Sequence, residues 1–488
     1  MKIQLFPKII FVFIFSVFLV SCDKSEDGIP TDLEVENFVW RGLNAFYLWQ
    51  NDIPDLSDLR FSNQNQLNAY LEGYSSPESL FENLLNRPTD RFSWIVDDYV
   101  ALENSFEGIN LSTGMEFGLK LYRDNSTNVY GYVRYVIPTS DADIKGVTRG
   151  MIFNTVNGTQ LTETNYSSLL FSSTTLLEIG LADYNNGIPT ANGTTISLTK
   201  ELVTENPVAI SKVLNEGGKK IGYLMYNQFS SSFDGELNAA FGTFKSQLVD
   251  ELIIDLRYNG GGSVRTATYL GGMITGLFNG EIYSKEVWNS KVQAATTDPT
   301  RFLNYFTDEI NNTDVNGNII LQEPINNLDL PTVYFIVSGS TASASELVIN
   351  ALRPYIDVKL VGTKTVGKQV GSVTLYDSES FTKEGANFNT SHTYAMQPIV
   401  LKISNKDDQD EIDGFTPGIT LPGIELAEDY GDLGELGELS DPLLSATVNY
   451  ITTGAKGIFK TNSQEYSGIF NSKLATPTSN NMYVDFKK

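Results

Sequence analysis

Apolar residues recur at helical spacing in the first part of the chain. In residues 35–49 (VENFVWRGLNAFYLW), Phe38 and Leu43 belong to a stripe with a helical period, and residues 76–85 (SPESLFENLL) form a second amphipathic stretch. This pattern predicts a small helical domain over residues 35–100.

Alternation of apolar and polar residues then replaces the helical period. Residues 116–122 (EFGLKLY) and 129–137 (VYGYVRYVI) alternate as half-buried strands do. The pair Asn157-Gly158 is a hairpin turn signal. A β-rich module is therefore predicted over residues 105–205.

A third pattern covers residues 208–454, where short apolar runs rich in β-branched residues alternate with amphipathic stretches. The predicted strands lie at 219–229, 250–259, 331–338 and 357–363, and a predicted helix lies at 234–248. Strands that alternate with helices indicate an α/β core. Residues 285–330 are polar and are expected to be an excursion, and residues 455–488 form a polar and aromatic tail without a clear period. The fold class predicted for the whole chain is α/β and multidomain.

Residues 1–21 predict a signal peptide rather than part of the fold. Lysines precede a run of 12 apolar residues at 9–20, which is shorter than the roughly 20 residues that span a bilayer. The run leads into LVSC, which resembles a bacterial lipobox and predicts Cys22 as the lipidated first residue of the mature chain. Because Cys22 is the only cysteine, no intrachain disulfide is possible.

Residues 22–34 are predicted to be a solvated tether that follows this anchor. The predicted location is the bacterial cell envelope, with the protein lipid-anchored to the outer membrane on its periplasmic or surface face. The protein is thus expected to contact the membrane only through the lipid on Cys22.

Charge and motif content exclude several classes of function. A formal net charge of −25 argues against nucleic acid, whose phosphates such a surface would repel. The sequence contains no GxxxxGK[ST] phosphate loop and no Cys/His cluster with zinc-ligand spacing. The glycines in 259–262 lack the spacing of a dinucleotide fingerprint. No cofactor and no metal are therefore expected.

Serine chemistry without histidine remains open. The only histidine, His392, lies in a polar stretch and is expected to be solvated or internally hydrogen-bonded. A serine hydroxyl needs a neighbour that takes its proton, and a buried lysine can do so because burial disfavours its ammonium form. Residues 337–352 (VSGSTASASELVINAL) place several serines at a predicted helix start. Two candidate lysines, Lys364 and Lys368, follow the predicted strand that ends near residue 363.

The glycines after the strand 250–259 allow two interpretations. Glycines at a strand end let bare N–H groups point into a cleft, where they can stabilise an oxyanion. Alternatively, they form only a tight strand-to-helix turn. Asp255 and Arg257 are expected to be a structural pair that positions this turn.

Taken together, four segments resemble the carboxyl-terminal processing protease family, also called tail-specific proteases. They are TASASE (341–346), VGKQ (366–369), DLRYNGGG (255–262) and IGYLMYNQFS (221–230). Ser343 matches the first serine of the family's nucleophile motif and Lys368 its lysine, and their separation of 25 residues agrees with the family's spacing. The resemblance covers roughly residues 35–425 and implies an α/β, crotonase-like protease core.

This resemblance implies a role for each matching residue. Ser343 would be the nucleophile and Lys368 the general base. The backbone N–H of Ala344, together with one from Gly261 or Gly262, would form the oxyanion hole.

The resemblance further implies that residues 105–205 form a PDZ-like domain. The segment GMEFGLKLY (114–122) would be its peptide-binding loop and strand, with Phe117, Gly118 and Leu119 along the edge that captures the C-terminus of a peptide.

Two positions depart from the family pattern. Many members have a glutamine four residues after the lysine, whereas this chain has Ser372, which becomes the candidate that orients Lys368. The turn at Arg149-Gly150-Met151 lacks the usual aspartate. The departure at Ser372 is the feature that favours a different function.

Two functions from different classes are thus carried forward. The first is a serine endopeptidase that cleaves peptides or proteins recognised through their C-termini. The alternative is a weak or inactive protease-fold lipoprotein that acts as a peptide-binding module. A glycan-binding lipoprotein has less support, because the aromatic residues lie mostly at core periodicities.

Overall fold

The computed structural model describes residues 28–314, 317–456, 468–476 and 478–484. The predicted signal peptide and Cys22 lie outside these ranges and stay predictions. Among the described residues, no helix combines the length and the apolar character needed to cross a bilayer.

Short helices and one strand form the N-terminal region. They are α1 (Glu34–Phe46), α2 (Gln64–Leu71), α3 (Pro77–Asn83), β1 (Trp94–Val96) and α4 (Tyr99–Phe106). The apolar stripe of α1 faces inward, since Phe38 and Leu43 are fully buried. Strand β1 pairs with residues 395–397 of the core, which fixes this region to the rest of the molecule.

A set of mainly β-strands follows and forms the β-rich module. Its elements are β2 (Ile109–Ser112), β3 (Met115–Leu121), β4 (Val129–Val136), α5 (Asp141–Ile144), β5 (Ile152–Val156), β6 (Thr159–Gln160), α6 (Tyr166–Leu170), β7 (Leu176–Asp183), β8 (Thr190–Thr199) and β9 (Glu201–Thr204). Strands β3, β4, β5, β7 and β8 are neighbours in this order in one antiparallel sheet. Leu119, Val133 and Phe153 pack in the core beneath it.

The α/β core contains the larger set of elements. They are β10 (Val208–Glu216), β11 (Lys219–Tyr226), α7 (Asp234–Gln247), β12 (Glu251–Asp255), β13 (Gly262–Ser263), α8 (Val264–Thr275), β14 (Ile282–Trp288), α9 (Ser290–Ala295), β15 (Leu303–Tyr305), β16 (Glu309–Thr313), β17 (Ile319–Pro324), β18 (Thr332–Val337), α10 (Ala344–Leu352), β19 (Asp357–Gly362), β20 (Val370–Ser372), β21 (Leu375–Tyr376), β22 (Ala395–Gln397), β23 (Ile399–Ser404), β24 (Gly423–Glu425) and α11 (Pro442–Thr453). The α/β multidomain class is confirmed.

Two six-stranded sheets organise this core. The first has the order β10-β11-β12-β18-β19-β24, and β11, β12, β18, β19 and β24 run parallel. Its central strands β11, β12 and β18 are mostly buried and apolar, as expected for parallel strands that are covered on both faces. The second sheet contains β13, β20, β23, β14 and β15. Strands β14 and β15 belong to this sheet, so the first part of the predicted excursion at 285–330 is part of the core.

The C-terminal segment contributes two further strands, where the sequence indicated a tail without a period. Strand β25 (Gly468–Asn471) pairs antiparallel with β3 of the β-rich module. Strand β26 (Met482–Tyr483) lies between β13 and β20 in the second sheet of the core. The segment therefore contacts both the β-rich module and the core.

Candidate active site

Ser343 stands at the start of α10, just after the turn that follows β18. Its backbone has φ 65° and ψ −119°, a region that a residue with a Cβ rarely adopts. Its side chain is fully buried, and its Oγ has no hydrogen-bond partner among the described residues. The preceding turn is held by Thr341, whose hydroxyl donates to the carbonyl of Leu256 at 2.8 Å. A strained residue with a free buried hydroxyl marks a functional candidate.

Lys368 lies in the loop between β19 and β20 and is 1% exposed. Burial lowers the pKa of its ammonium group to about 7, although the nearby carboxylates of Asp90 and Glu346 act in the opposite direction. Its Nζ donates to the carbonyl of Asn480 at 2.6 Å and lies 4.9 Å from the ring centroid of Phe92. Lys368 thus has the environment of a proton acceptor near neutral pH.

Glu346 joins the two loops that carry these candidates. Its Oε2 accepts from the backbone N–H of Ser343 at 2.9 Å and from the backbone N–H of Lys368 at 2.8 Å. Its Oε1 accepts from the N–H of Gly367 at 2.7 Å and from the hydroxyl of Thr365. Burial raises the pKa of the Glu346 carboxyl, and these donors act in the opposite direction.

Sequence reasoning missed this role of Glu346. The signal was present as capping-box spacing after Ser343, but a helix cap explains only the bond to the Ser343 N–H. The bonds to Gly367 and Lys368 join segments more than 20 residues apart.

The glycine turn lies directly against Ser343. A Cβ at Gly261 would stand 2.6 Å from the Cβ of Ser343 and 2.9 Å from the N of Ala344, so that only glycine permits this approach. The N–H of Gly261 donates to Asn259 Oδ1 at 2.8 Å. Gly262 pairs with Met482 of β26. The structure thus brings Gly261 close to Ala344, although the Gly261 N–H already donates to Asn259.

Ser372, the candidate orienter of Lys368, has other partners. Its Oγ is 2.6 Å from Gln397 Oε1 and 2.9 Å from Asn481 Oδ1. Within the described ranges, no hydrogen bond joins Ser372 to Lys368. The Lys368 ammonium is instead held by a backbone carbonyl of the C-terminal segment.

His392 is internally hydrogen-bonded. Its Nε2 is 3.2 Å from Asp377 Oδ2, and its Nδ1 accepts from the N–H of Tyr394 at 3.1 Å. Both ring nitrogens therefore have partners away from Ser343. In the part of the chain that the structure describes, no cluster of His, Cys, Asp and Glu side chains is arranged to hold a metal ion.

The predicted peptide-binding edge is strand β3, and β25 covers it. Leu119 is opposite Phe470, and Gly118 is opposite Asn471. The N–H of Phe117 donates to the hydroxyl oxygen of Ser472 at 2.9 Å.

The loop expected to capture a carboxylate contains a buried carboxyl group of its own. Glu116 Oε2 lies 2.5 Å from the hydroxyl of Ser472. Burial raises the pKa of Glu116 to about 7, while the nearby ammonium of Lys473 lowers it. A hydroxyl and a cation, rather than a chain terminus, occupy this loop.

Comparison with known families adds independent information. Residues 220–398 match the model described as peptidase family S41, and residues 34–94 match the peptidase S41 N-terminal domain. The first match contains Ser343, Lys368 and the glycine turn. The second corresponds to the N-terminal helices.

Similar curated proteins are carboxyl-terminal-processing proteases. One from Picosynechococcus sp. is 27% identical over 36% of this chain and 35% of its own length. Carboxyl-terminal-processing peptidase 1 of Arabidopsis thaliana, a chloroplastic protein, is 25% identical over 71% of this chain and 65% of its own length. The chain thus spans about a third of the Picosynechococcus relative and somewhat less than two thirds of the Arabidopsis one.

A solved structure supports the fold. The crystal structure of a Bacteroides fragilis protein assigned to the S41 proteases aligns with a TM-score of 0.62 at 24% identity, over 86% of this chain and 97% of that chain. The arrangement of helical region, β-rich module and α/β core therefore recurs in a solved structure.

Proposed function

Since the chain belongs to the carboxyl-terminal-processing protease family, peptidase family S41, we propose that it is a serine endopeptidase with Ser343 as nucleophile and Lys368 as general base. One observation carries the assignment: Glu346 Oε2 accepts from the backbone N–H groups of both residues, at 2.9 and 2.8 Å. One carboxylate oxygen therefore links the backbones of the candidate nucleophile and the candidate base, which supports the proposal.

The proposed reaction begins with proton transfer. Neutral Lys368 accepts the proton of the Ser343 hydroxyl as Oγ attacks the carbonyl carbon of a peptide bond. The tetrahedral intermediate collapses, the C–N bond breaks, and Lys368 returns the proton to the leaving amine. Water then hydrolyses the acyl ester on Ser343, with Lys368 again acting as the base.

Negative charge on the carbonyl oxygen needs fixed donors. The N–H of Ala344 is one, because it lies at the first position of α10 and has no partner within the helix. The start of the helix also favours negative charge through its dipole. Gly262 supplies the second donor in this proposal, since the N–H of Gly261 is bonded to Asn259.

Substrate recognition is proposed along β3. An extended peptide pairs with this strand as an added strand, and the backbone of Phe117, Gly118 and Leu119 forms the edge that it pairs with. Proteins or peptides are then the partners of the molecule.

The alternative, an inactive peptide-binding module, also has one observation in its favour. The Nζ of Lys368 donates to Asn480 instead of to Ser343. The two functions differ in whether peptide bonds are cleaved.

Two substitutions distinguish these functions. Ser343→Ala and Lys368→Ala are each expected to lower kcat/KM for an unstructured peptide by about 10³-fold or more, because each removes one half of the proton-transfer pair. Hydrolysis is measured by the release of new amino groups. Lys364→Ala, which removes an exposed lysine from the same loop, is the matched control and should retain activity. Cleavage by either variant at the parent rate refutes the assignment.

A further inference from the structure

The C-terminal segment, described at residues 468–476 and 478–484, reaches both places where a substrate would bind. Strand β25 lies on the edge of β3, and β26 lies beside the glycine turn. A single cavity of about 370 Å³ follows the segment, and its lining includes Phe117 and Phe171 at one end and Gly261 at the other. The cavity therefore runs from the groove along β3 to the glycine turn, and described residues of the segment line it at both ends.

In the groove, the segment makes the contacts of a peptide ligand. It runs antiparallel to β3, as a bound peptide does when it adds a strand to an exposed edge. The Phe470 ring packs between Phe171, at a centroid distance of 5.1 Å, and Tyr166, at 5.8 Å. An aromatic side chain of the protein thus fills a pocket that opens beside the edge of β3.

At the end of the groove, the segment continues instead of stopping. The hydroxyl of Ser472 contacts Glu116 and the N–H of Phe117. The ammonium of Lys473 donates to the carbonyl of Asn227 at 3.0 Å and lies 3.5 Å from a carboxylate oxygen of Glu205. A chain that continues can satisfy the buried Glu116, whereas a terminal carboxylate at this point would be repelled by it.

Beside Ser343, the segment contacts the candidate base and the glycine turn. The carbonyl of Asn480 accepts from the Nζ of Lys368 at 2.6 Å, and a Cβ at Gly261 would lie 2.5 Å from the carbonyl oxygen of Asn481. The ammonium is thus bonded to the segment and not to the Ser343 hydroxyl. A substrate carbonyl that approaches Gly261 and Lys368 must therefore compete with the backbone of the segment.

We propose that residues 468–476 and 478–484 act as an intramolecular peptide ligand: the first part occupies the groove along β3 and the second lies at the cleft beside Ser343, and any external peptide must displace them. Tethering gives such a segment an effective concentration on the order of millimolar, so it excludes peptides that bind more weakly than this. The claim that the segment blocks catalysis at Ser343 rests on the proposed function. The claim that it occupies the groove along β3 does not. The external ligand is an extended chain with an aromatic side chain for the Phe470 pocket and a hydroxyl for Glu116.

Peptide binding to the full chain tests the occupancy directly. The probe is a fluorescently labelled peptide with the sequence of residues 468–476, and its Kd is measured by anisotropy with Ser343→Ala protein, which cannot cleave it. Adding Phe470→Asp removes the aromatic contact of the segment, and adding Ser472→Glu places a carboxylate against Glu116. Each double variant is expected to bind the probe at least about 10-fold more tightly than Ser343→Ala alone. Tyr305→Ala, which removes an aromatic ring that is 40% exposed elsewhere, is the control and should leave the Kd unchanged.

Hydrolysis separates this inference from the proposed function. With Ser343 intact, Phe470→Asp is expected to raise kcat/KM for an external peptide at least about fivefold. Unchanged binding in both double variants overturns the inference, as does an active parent enzyme that Phe470→Asp does not accelerate. Tighter binding without hydrolysis by any variant supports the intramolecular ligand and refutes the peptidase function instead.

Discussion

At Ser343, the backbone is strained and the hydroxyl has no partner among the described residues. A non-glycine residue in such a backbone region costs about 1–3 kcal/mol, and a buried polar group without a hydrogen bond costs a similar amount. In this conformation the Cβ of Ser343 and the N of Ala344 both lie close to Gly261. The strained residue therefore stands where the glycine turn and the start of α10 meet.

In the proposed mechanism, the protonation state of Lys368 determines how activity depends on pH. Burial lowers its pKa from 10.5 to about 7, and only the neutral amine accepts a proton. We expect kcat/KM for a peptide to rise about tenfold per pH unit below pH 7 and to level off above it. A pH–rate profile between pH 5.5 and 9 measures this. A rate that is flat across this range, or that rises only near pH 10, contradicts a buried lysine base.

The same shift affects stability. Between pH 7 and 10.5 the unfolded chain binds a proton at this lysine that the folded chain does not bind. The contribution of Lys368 to the free energy of unfolding therefore rises with pH over this window. Below pH 7 both states are protonated, and the penalty for the buried ammonium group is constant.

At the scale of elements, Glu346 connects the start of α10 to the loop between β19 and β20. We expect Glu346→Gln to lower the free energy of unfolding by about 2–4 kcal/mol, because the amide N–H₂ replaces an acceptor that faces buried donors. Urea denaturation measures this effect. The variant should also lower kcat more than it changes KM, since substrate contacts along β3 are untouched. Glu309→Gln on the exposed edge of β16 is the control, and an equal loss in both variants would contradict the connecting role.

The elements differ in how far the sequence could predict them. Strands β11, β12, β18 and β19 were predictable because each is mainly apolar. They are apolar because other elements cover the sheet on both faces. Strands β25 and β26 were not, since they have four and two residues and depend on pairing with strands far away in the chain. A short strand whose partner is distant leaves no local period.

The site shows the same division. Ser343, Lys368 and the glycine turn belong to motifs with a fixed spacing, and the structure brings them together. Ser372 was expected to orient Lys368, but the Ser372 hydroxyl contacts Gln397 and Asn481. The partner of the Lys368 ammonium is a backbone carbonyl at residue 480, which no side-chain motif encodes.

At the scale of the whole molecule, a buried charge network joins the β-rich module to the core. Arg149 of the module donates to Glu428 at 3.0 Å and to the hydroxyl of Tyr258 at 2.8 Å. The fully buried Arg257 lies 3.3 Å from the same Glu428 oxygen and also bonds Asp255 and Asp441. The structural pair expected of Asp255 and Arg257 is thus part of a larger network that anchors the strand before the glycine turn.

Glu428 is the carboxylate that two guanidinium groups share. Burial alone would raise its pKa, but Arg149 and Arg257 outweigh burial and lower the pKa to about 2. A pKa below the ordinary value of 4.5 means that the ionised group stabilises the folded state above pH 4.5, and that this contribution is lost as the pH falls towards 2.

Glu428→Gln therefore tests the connection between module and core. At pH 7 we expect the free energy of unfolding to fall by about 3 kcal/mol or more, because two buried cations lose the anion that they share. The difference from the parent protein should narrow below pH 4.5, because the unfolded parent then binds a proton at this carboxyl that the folded parent binds only near pH 2. Urea denaturation at pH 7 and pH 3 measures both effects. Asp55→Asn, which removes the partner of Arg60 in a largely exposed pair, should cost less than about 1 kcal/mol at either pH. An equal, pH-independent loss in the two variants would show that Glu428 contributes packing rather than charge to the joint between the β-rich module and the core.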